Sequence, residues 1–167
     1  MSKKFRPSTR QCIELSSFEG TNATILAYNA AFALIYGAGL SRGEFLSLRW
    51  NDVVDRAHGK EALHIKGAHP RVIPIPDTVS QRLKHYRLTL GEVSPCDKIA
   101  AWRRGMLLVE LKSRARRLGY PGSLRLMDLR IAFARHMVQA GVPMQAVYQM
   151  LGVQRYETIR KMALDMD

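Results

Sequence analysis

The stretch from Ala23 to Leu40 is apolar almost throughout, broken by Tyr28, Asn29, Gly37 and Gly39. Thr21 or Asn22 can cap its start and Gly39 can end it, which predicts a helix over Asn22–Ala38. Ser41-Arg42-Gly43-Glu44 has the S-x-x-E form of a capping box, so a short second helix is expected from Arg42 to Leu48. Phe45, Leu46 and Leu48 would face its core side. Trp50-Asn51-Asp52 then turns the chain toward strands, beginning at Val53-Val54. Ala62 to Lys66 alternates, Gly67-Ala68-His69-Pro70 makes a turn, and Val72 to Ile75 returns, the pattern of a β-hairpin. Pro74 has no N–H to donate, so its strand lies at an edge or ends there. Asp77 is expected to cap a helix running to Leu90. Residues 92–105 show no readable period. Further helices are predicted over Met106–Leu118, Asp128–Ala140, from Pro143 to Gly152 and over Tyr156–Leu164. The order is helices, a small sheet, then helices: an α+β, mainly helical domain over residues 21–167. Residues 1–20, with Lys3, Lys4, Arg6 and Arg10, read as a loose basic arm.

Composition changes this picture in one respect. A chain of 167 residues with 47% hydrophobic and 24% charged residues is an ordinary single globular domain. Its net charge of +12 is not ordinary. Nucleic acid, an anionic membrane surface, or charge kept for solubility would each account for it. Cys12 and Cys96 are far apart and form neither a disulfide framework nor a zinc motif, so both are expected as buried small hydrophobes. The chain shows no secretory h-region and no membrane span, which makes cytoplasmic the default. Nothing in it points to a metal or cofactor.

The cations are clustered. Arg103, Arg104, Lys112, Arg114, Arg116 and Arg117 fall close together. Cations in the last turn of a helix offset its dipole, which accounts for one or two of them. The whole group is better explained as a phosphate-facing surface. Lys66 and His69 at the hairpin tip add to it, although a solvated turn would hold the same residues.

Three runs resemble one family. Tyr36-Gly37-Ala38-Gly39-Leu40-Ser41-Arg42-Gly43-Glu44 through Val53 is similar to the first signature of the tyrosine recombinase (phage integrase) catalytic domain. His64-Ile65-Lys66-Gly67, continuing through Arg71-Val72-Ile73-Pro74-Ile75, resembles its β-hairpin, which carries a catalytic lysine. Asp128-Leu129-Arg130 through Leu151-Gly152 resembles its second signature. The resemblance covers Thr21 to Met162. It implies a fold that breaks DNA through a tyrosine nucleophile, with two arginines and other cations holding the scissile phosphate.

The resemblance also implies that most of that machinery is absent. The first arginine position holds Ser41, and the two histidine positions hold Met127 and Val153. The nucleophile position holds Met162, whose thioether cannot form a phosphate ester. Only Lys66 and Arg130 are kept. Arg42 is adjacent to Ser41, but one helical residue turns a side chain by about 100°. The family also implies an N-terminal helical domain and a C-terminal segment shared between protomers. About twenty residues precede the matched region and five follow Met162, so a modest affinity for DNA is expected.

The expectation is therefore a DNA-binding protein without strand cleavage, a regulator or accessory factor of a mobile element, in a bacterial or phage-derived setting. Its partner would be double-stranded DNA, contacted through Arg42, Lys66, His69, Arg114, Arg116, Arg117 and Arg130, with other protomers or a partner protein besides. Two alternatives stay open: an active recombinase using a displaced Tyr148 or Tyr156, and a protein-interaction module.

Overall fold

A computed structural model describes residues 5–153. Lys3, Lys4, Tyr156, Met162 and the helix expected over Tyr156–Leu164 lie outside the described residues.

The fold is built around α2, Ala23–Gly37, which Asn22 caps by accepting the Ile25 N–H. A helix that is apolar on every side has no face to give to water. Every residue of α2 from Leu26 to Ile35 is accordingly buried. Among the described elements, α1 (Thr9–Leu15), α3 (Arg42–Ser47), α4 (Asp77–Thr89) and α6 (Leu126–Gln139) pack against it. α5 (Met106–Arg117) and α7 (Met144–Leu151) lie beside α6. Asn29 is the polar residue inside α2. Its amide bridges the Phe18 backbone in both directions, which satisfies it away from water.

β1 (Val53–Asp55), β2 (Glu61–Ile65) and β3 (Arg71–Pro74) form an antiparallel meander in the order β1-β2-β3. Pro74 pairs opposite Ala62 on an edge strand, where its missing N–H costs no ladder bond. The alternation in β2 is visible in its burial: Leu63 and Ile65 are in the core and His64 is exposed.

The structure corrects several expectations. Residues 9–15 are not a loose arm. They form α1, begun by a capping box between Ser8 and Gln11, with Cys12 and Leu15 buried. Arg10 is an α1 surface residue paired with Glu14 at 2.8 Å. Burial of two apolar side chains outweighs the basic composition, and the Ser8-Thr9-Arg10-Gln11 run carried the capping signal. Cys96 is exposed, whereas Cys12 is buried and its thiol is pushed up to about 12 by that burial. α4 is preceded by Pro76 without a side-chain cap. Asp77 lies in its first turn and pairs with Lys60 at 2.6 Å. α6 begins at Leu126, because Asp128 reaches back to accept the Arg125 N–H at 2.8 Å.

The unreadable segment 92–105 laces along the chain between α3 and β1. Trp50 donates its N–H to Asp97 O, Ile99 donates to Leu48 O, and Ile99 and Ala100 are buried. Its order comes from distant partners, so no local period announces it.

Candidate nucleic-acid interface

The turn between α2 and α3 brings two of the signature runs together. Gly39 has φ +65°, and a Cβ there would lie 2.7 Å from the Phe133 ring of α6 and 2.9 Å from Leu151 of α7. Only glycine permits this approach. The close contact carries the Gly39 carbonyl to Arg130, whose Nε donates to it at 2.8 Å. Arg130 Nη2 donates to the Leu151 carbonyl. A guanidinium has five N–H donors, and among the described residues two of those on Arg130 are spent in orienting it.

Arg130 lines a cavity of about 410 Å³ together with Ser41, Arg42 and Arg125. Leu40, Leu108, Leu126 and Met127 give it an apolar lining. Arg125 is committed to Asp128 through a pair at 3.0 Å, while Arg42 is exposed. Met127 is also partly exposed, at 42%. Burial pulls the Arg130 pKa down, with Glu44 opposing and Arg71 adding to the shift.

Ser41 caps α3. Its Oγ accepts from Glu44 N at 3.2 Å, and its own N–H donates to Glu44 Oε2 at 2.8 Å. The capping box read in the sequence is thus present, and the side chain at the first arginine position is engaged in it. The second Glu44 oxygen accepts from Arg71 Nη1 at 2.7 Å. Burial opposes ionisation of Glu44, but Arg71 and the Ser41 amide outweigh it and hold its carboxyl below the usual range.

Arg71 was not singled out in the sequence, although it opens β3 at the heart of this network. Its Nε donates to Met150 O at 2.7 Å and its Nη1 also reaches His69 O at 3.0 Å. Arg71 and Arg130 therefore bind the successive carbonyls of Met150 and Leu151 in the last turn of α7, where cations also offset the helix dipole. Gly152 makes room for Arg71: a Cβ there would meet its guanidinium at 2.5 Å. A charged residue at the start of a strand, facing distant groups, leaves no local signal beyond its own charge.

Lys66 follows β2 and is exposed, with its Nζ 2.5 Å from Asp52 Oδ1. His69 is half-buried in the turn. Val153 is half-buried and packs with Phe133, Val147 and Leu151. Tyr148 is half-buried on α7.

The basic run on α5 divides. Arg116 and Arg117 are exposed, Arg116 bonding to the Lys112 carbonyl and Arg117 lying over the Phe18 ring at 4.7 Å. Arg114 is 1% exposed and belongs to the core. It pairs with Glu110 at 2.8 Å, donates to Leu15 O at 2.9 Å and to Asn29 Oδ1 at 2.5 Å, and lies over the rings of Phe18 and Phe32. The expected phosphate contact from Arg114 is therefore corrected: the side chain ties α1 and α2 to α5. At 1.5 Å per residue, Arg116 lies roughly 12 Å along α5 from Leu108 at the cavity. Among the described residues, one cationic group thus lies at the cavity and hairpin and another at the end of α5.

The phage integrase family model matches residues 10–162, and the chain belongs to that family. It is 30% identical over 135 residues to tyrosine recombinase XerC of Roseiflexus sp. (strain RS-1), covering 74% of this chain and 42% of that protein. It is 31% identical over 133 residues to tyrosine recombinase XerA of Thermococcus onnurineus (strain NA1), covering 72% of this chain and 45% of that protein. The chain thus spans less than half the length of these curated relatives. Among solved structures, XerA recombinase superposes with a TM-score of 0.78 at 14% identity, over 100% of this chain and 60% of the other. XerH recombinase bound to a palindromic difH substrate, in a post-cleavage complex, superposes with a TM-score of 0.79 at 17% identity, over 95% and 49%. These likenesses show that the α+β, mainly helical fold is that of the tyrosine recombinase catalytic domain. Among the described residues, no helix is long and apolar enough to cross a membrane.

Proposed function

We propose that this chain is a DNA-binding member of the integrase family that holds duplex DNA by its phosphates and does not cut it. The carrying observation is the cavity at Arg130. Two backbone carbonyls aim this retained arginine at a site whose other family position is a serine consumed by a capping box. One oriented guanidinium with Arg42 nearby suffices to bind a phosphate. Cleavage needs more: a nucleophile, a proton donor for the leaving oxygen, and charge aimed at the transition state. The sequence supplies Met162, Met127 and Val153 at the matched nucleophile and histidine positions. Losing one oriented donor typically costs about 10²–10³ in rate, and several losses fall on one site here.

The net charge of +12, the exposed Arg116 and Arg117, and the DNA substrate held by the structurally similar XerH recombinase support duplex DNA as the partner. Phosphate contacts give affinity and register with little sequence preference. Such a protein fits the role of a regulator or accessory factor acting on DNA of a mobile element.

The test is a salt titration of duplex binding. Log affinity is expected to fall linearly with log salt, by about 0.9 per phosphate contact. Reversing Arg116 and Arg117 together to glutamate should weaken binding and flatten that line by roughly two contacts. Absence of duplex binding at low salt contradicts the proposal.

A further inference from the structure

Lys66 is the retained catalytic-lysine position of the family, and although exposed its ammonium is paired rather than free. Its ammonium folds toward a cleft of about 260 Å³ whose lining includes Glu44, Asp52, Arg49 and His64. Asp52 is the residue it meets, at 2.5 Å. The Asp52 side chain is 6% exposed, against 60% for Lys66. The two carboxylate oxygens have different duties. Oδ2 accepts the Arg49 N–H at 2.9 Å and closes the 3₁₀ turn Trp50–Asp52. Oδ1 is buried and accepts no well-aligned hydrogen bond, so the Lys66 charge is its compensation among the described residues.

An anion cannot follow the ammonium into this place. Glu44 also lines the cleft, its carboxylate oxygens held by Arg71 and Ser41. The other cation there, Arg49, points its Nη1 to the Cys96 carbonyl. A phosphate approaching Lys66 in its present position would meet the Asp52 carboxylate, which no other cation among the described residues neutralises. Lys66 must therefore leave Asp52 to serve a phosphate fully. The turn beside it allows that movement: Gly67 has φ +105° and open space around it, and residues 66–68 are exposed.

We propose that Asp52 is a positioning residue for the hairpin lysine: it stores Lys66 in a carboxylate-lined cleft, and a DNA phosphate must compete for the ammonium. This inference rests on the DNA-binding reading above. Release leaves Asp52 Oδ1 buried and uncompensated, so the pair sets a threshold that weakens phosphate contact by Lys66. The cost is modest because Lys66 keeps much of its hydration.

The decisive variant is Asp52→Asn, which retains an oxygen for the Arg49 N–H and removes the charge. Asp52→Ser, which also keeps an acceptor, is the second variant should the first not fold. Duplex affinity is expected to rise about two- to fivefold, the range set by pairs of this exposure. The log–log salt dependence should steepen by up to about 0.9, the worth of one added phosphate contact. Both changes should vanish in a Lys66→Gln background. A merely structural role for Asp52 moves neither the salt slope nor its dependence on Lys66. A second readout needs no DNA: side-chain ¹⁵N relaxation should show the Lys66 ammonium more restricted than that of Lys112, and freed by Asp52→Asn. An ammonium equally mobile in both proteins overturns the stored pair. A freed ammonium with unchanged duplex affinity overturns the competition. A freed ammonium with no duplex binding by either protein contradicts the DNA-binding reading, and removes the phosphate as the competitor.

Discussion

Arg114→Ala is expected to lower the unfolding free energy by about 3–5 kcal/mol, with a cooperative shift of the urea midpoint. Three losses coincide. The substitution empties a fully buried volume among Phe18, Tyr28 and Phe32. It strips donors from Leu15 O and reduces those to Asn29 Oδ1, both buried bonds. It also leaves Glu110 without its partner at 2.8 Å. Hydrogen exchange should localise the damage in α1, because Arg114 binds the last α1 carbonyl. Lysine will not rescue it, since one ammonium cannot reach Glu110, Leu15 and Asn29 in the fork geometry of a guanidinium. A surface phosphate contact would behave in the opposite way, with weaker DNA binding and unchanged stability. A stability change under about 1 kcal/mol would place Arg114 outside the core.

Gly39→Ala is expected to cost about 2–4 kcal/mol and to weaken DNA binding as well. The left-handed conformation at φ +65° costs a side chain about 1–2 kcal/mol. The new methyl would also press two Phe133 ring carbons at 2.7 Å and Leu151 at 2.9 Å, overpacking worth about 1–3 kcal/mol. Relief of these contacts must move α6 or α7 away from the α2–α3 turn. That movement separates the Gly39 carbonyl from Arg130 Nε and loosens the cavity. Gly43→Ala is the internal control. Its Cβ meets nothing within 4 Å, and it lies in α3, where alanine is the better helix former by about 1 kcal/mol. Equal stability of the two variants by denaturant titration would show that the turn does not require a glycine at residue 39.

These two residues also show what the sequence made legible. α2, the Ser41 capping box and the edge strand ending at Pro74 depend on neighbours in the chain, and all three are present where local chemistry puts them. The signature runs carried the fold in the same way, because their glycines and apolar positions are packing requirements. Charge counted along the chain puts Arg114 on the surface, whereas burial depends on the helix face. Leu107, Leu111 and Ala115 mark the buried stripe of α5, and Arg114, three residues after Leu111, falls on it. That signal was available. The Lys66–Asp52 and Arg71–Glu44 pairs were not readable, since each joins the hairpin to the α3 region across a gap that only the tertiary fold closes. The segment 92–105 was opaque for the same reason. Cys96 lies within it, and its exposure follows from a turn held by Ser94 and Asp97.

As proposed above, this integrase-family domain holds DNA without joining to it. Incubation with a nicked suicide duplex, run in parallel on native and denaturing gels, tests both halves at once. In a cleaving recombinase the small fragment escapes at the nick and the phosphotyrosyl link survives denaturation. A retarded band is expected on the native gel at low salt and none on the denaturing gel. A denaturant-resistant protein–DNA band, abolished by Tyr148→Phe or Tyr156→Phe, would contradict the proposal.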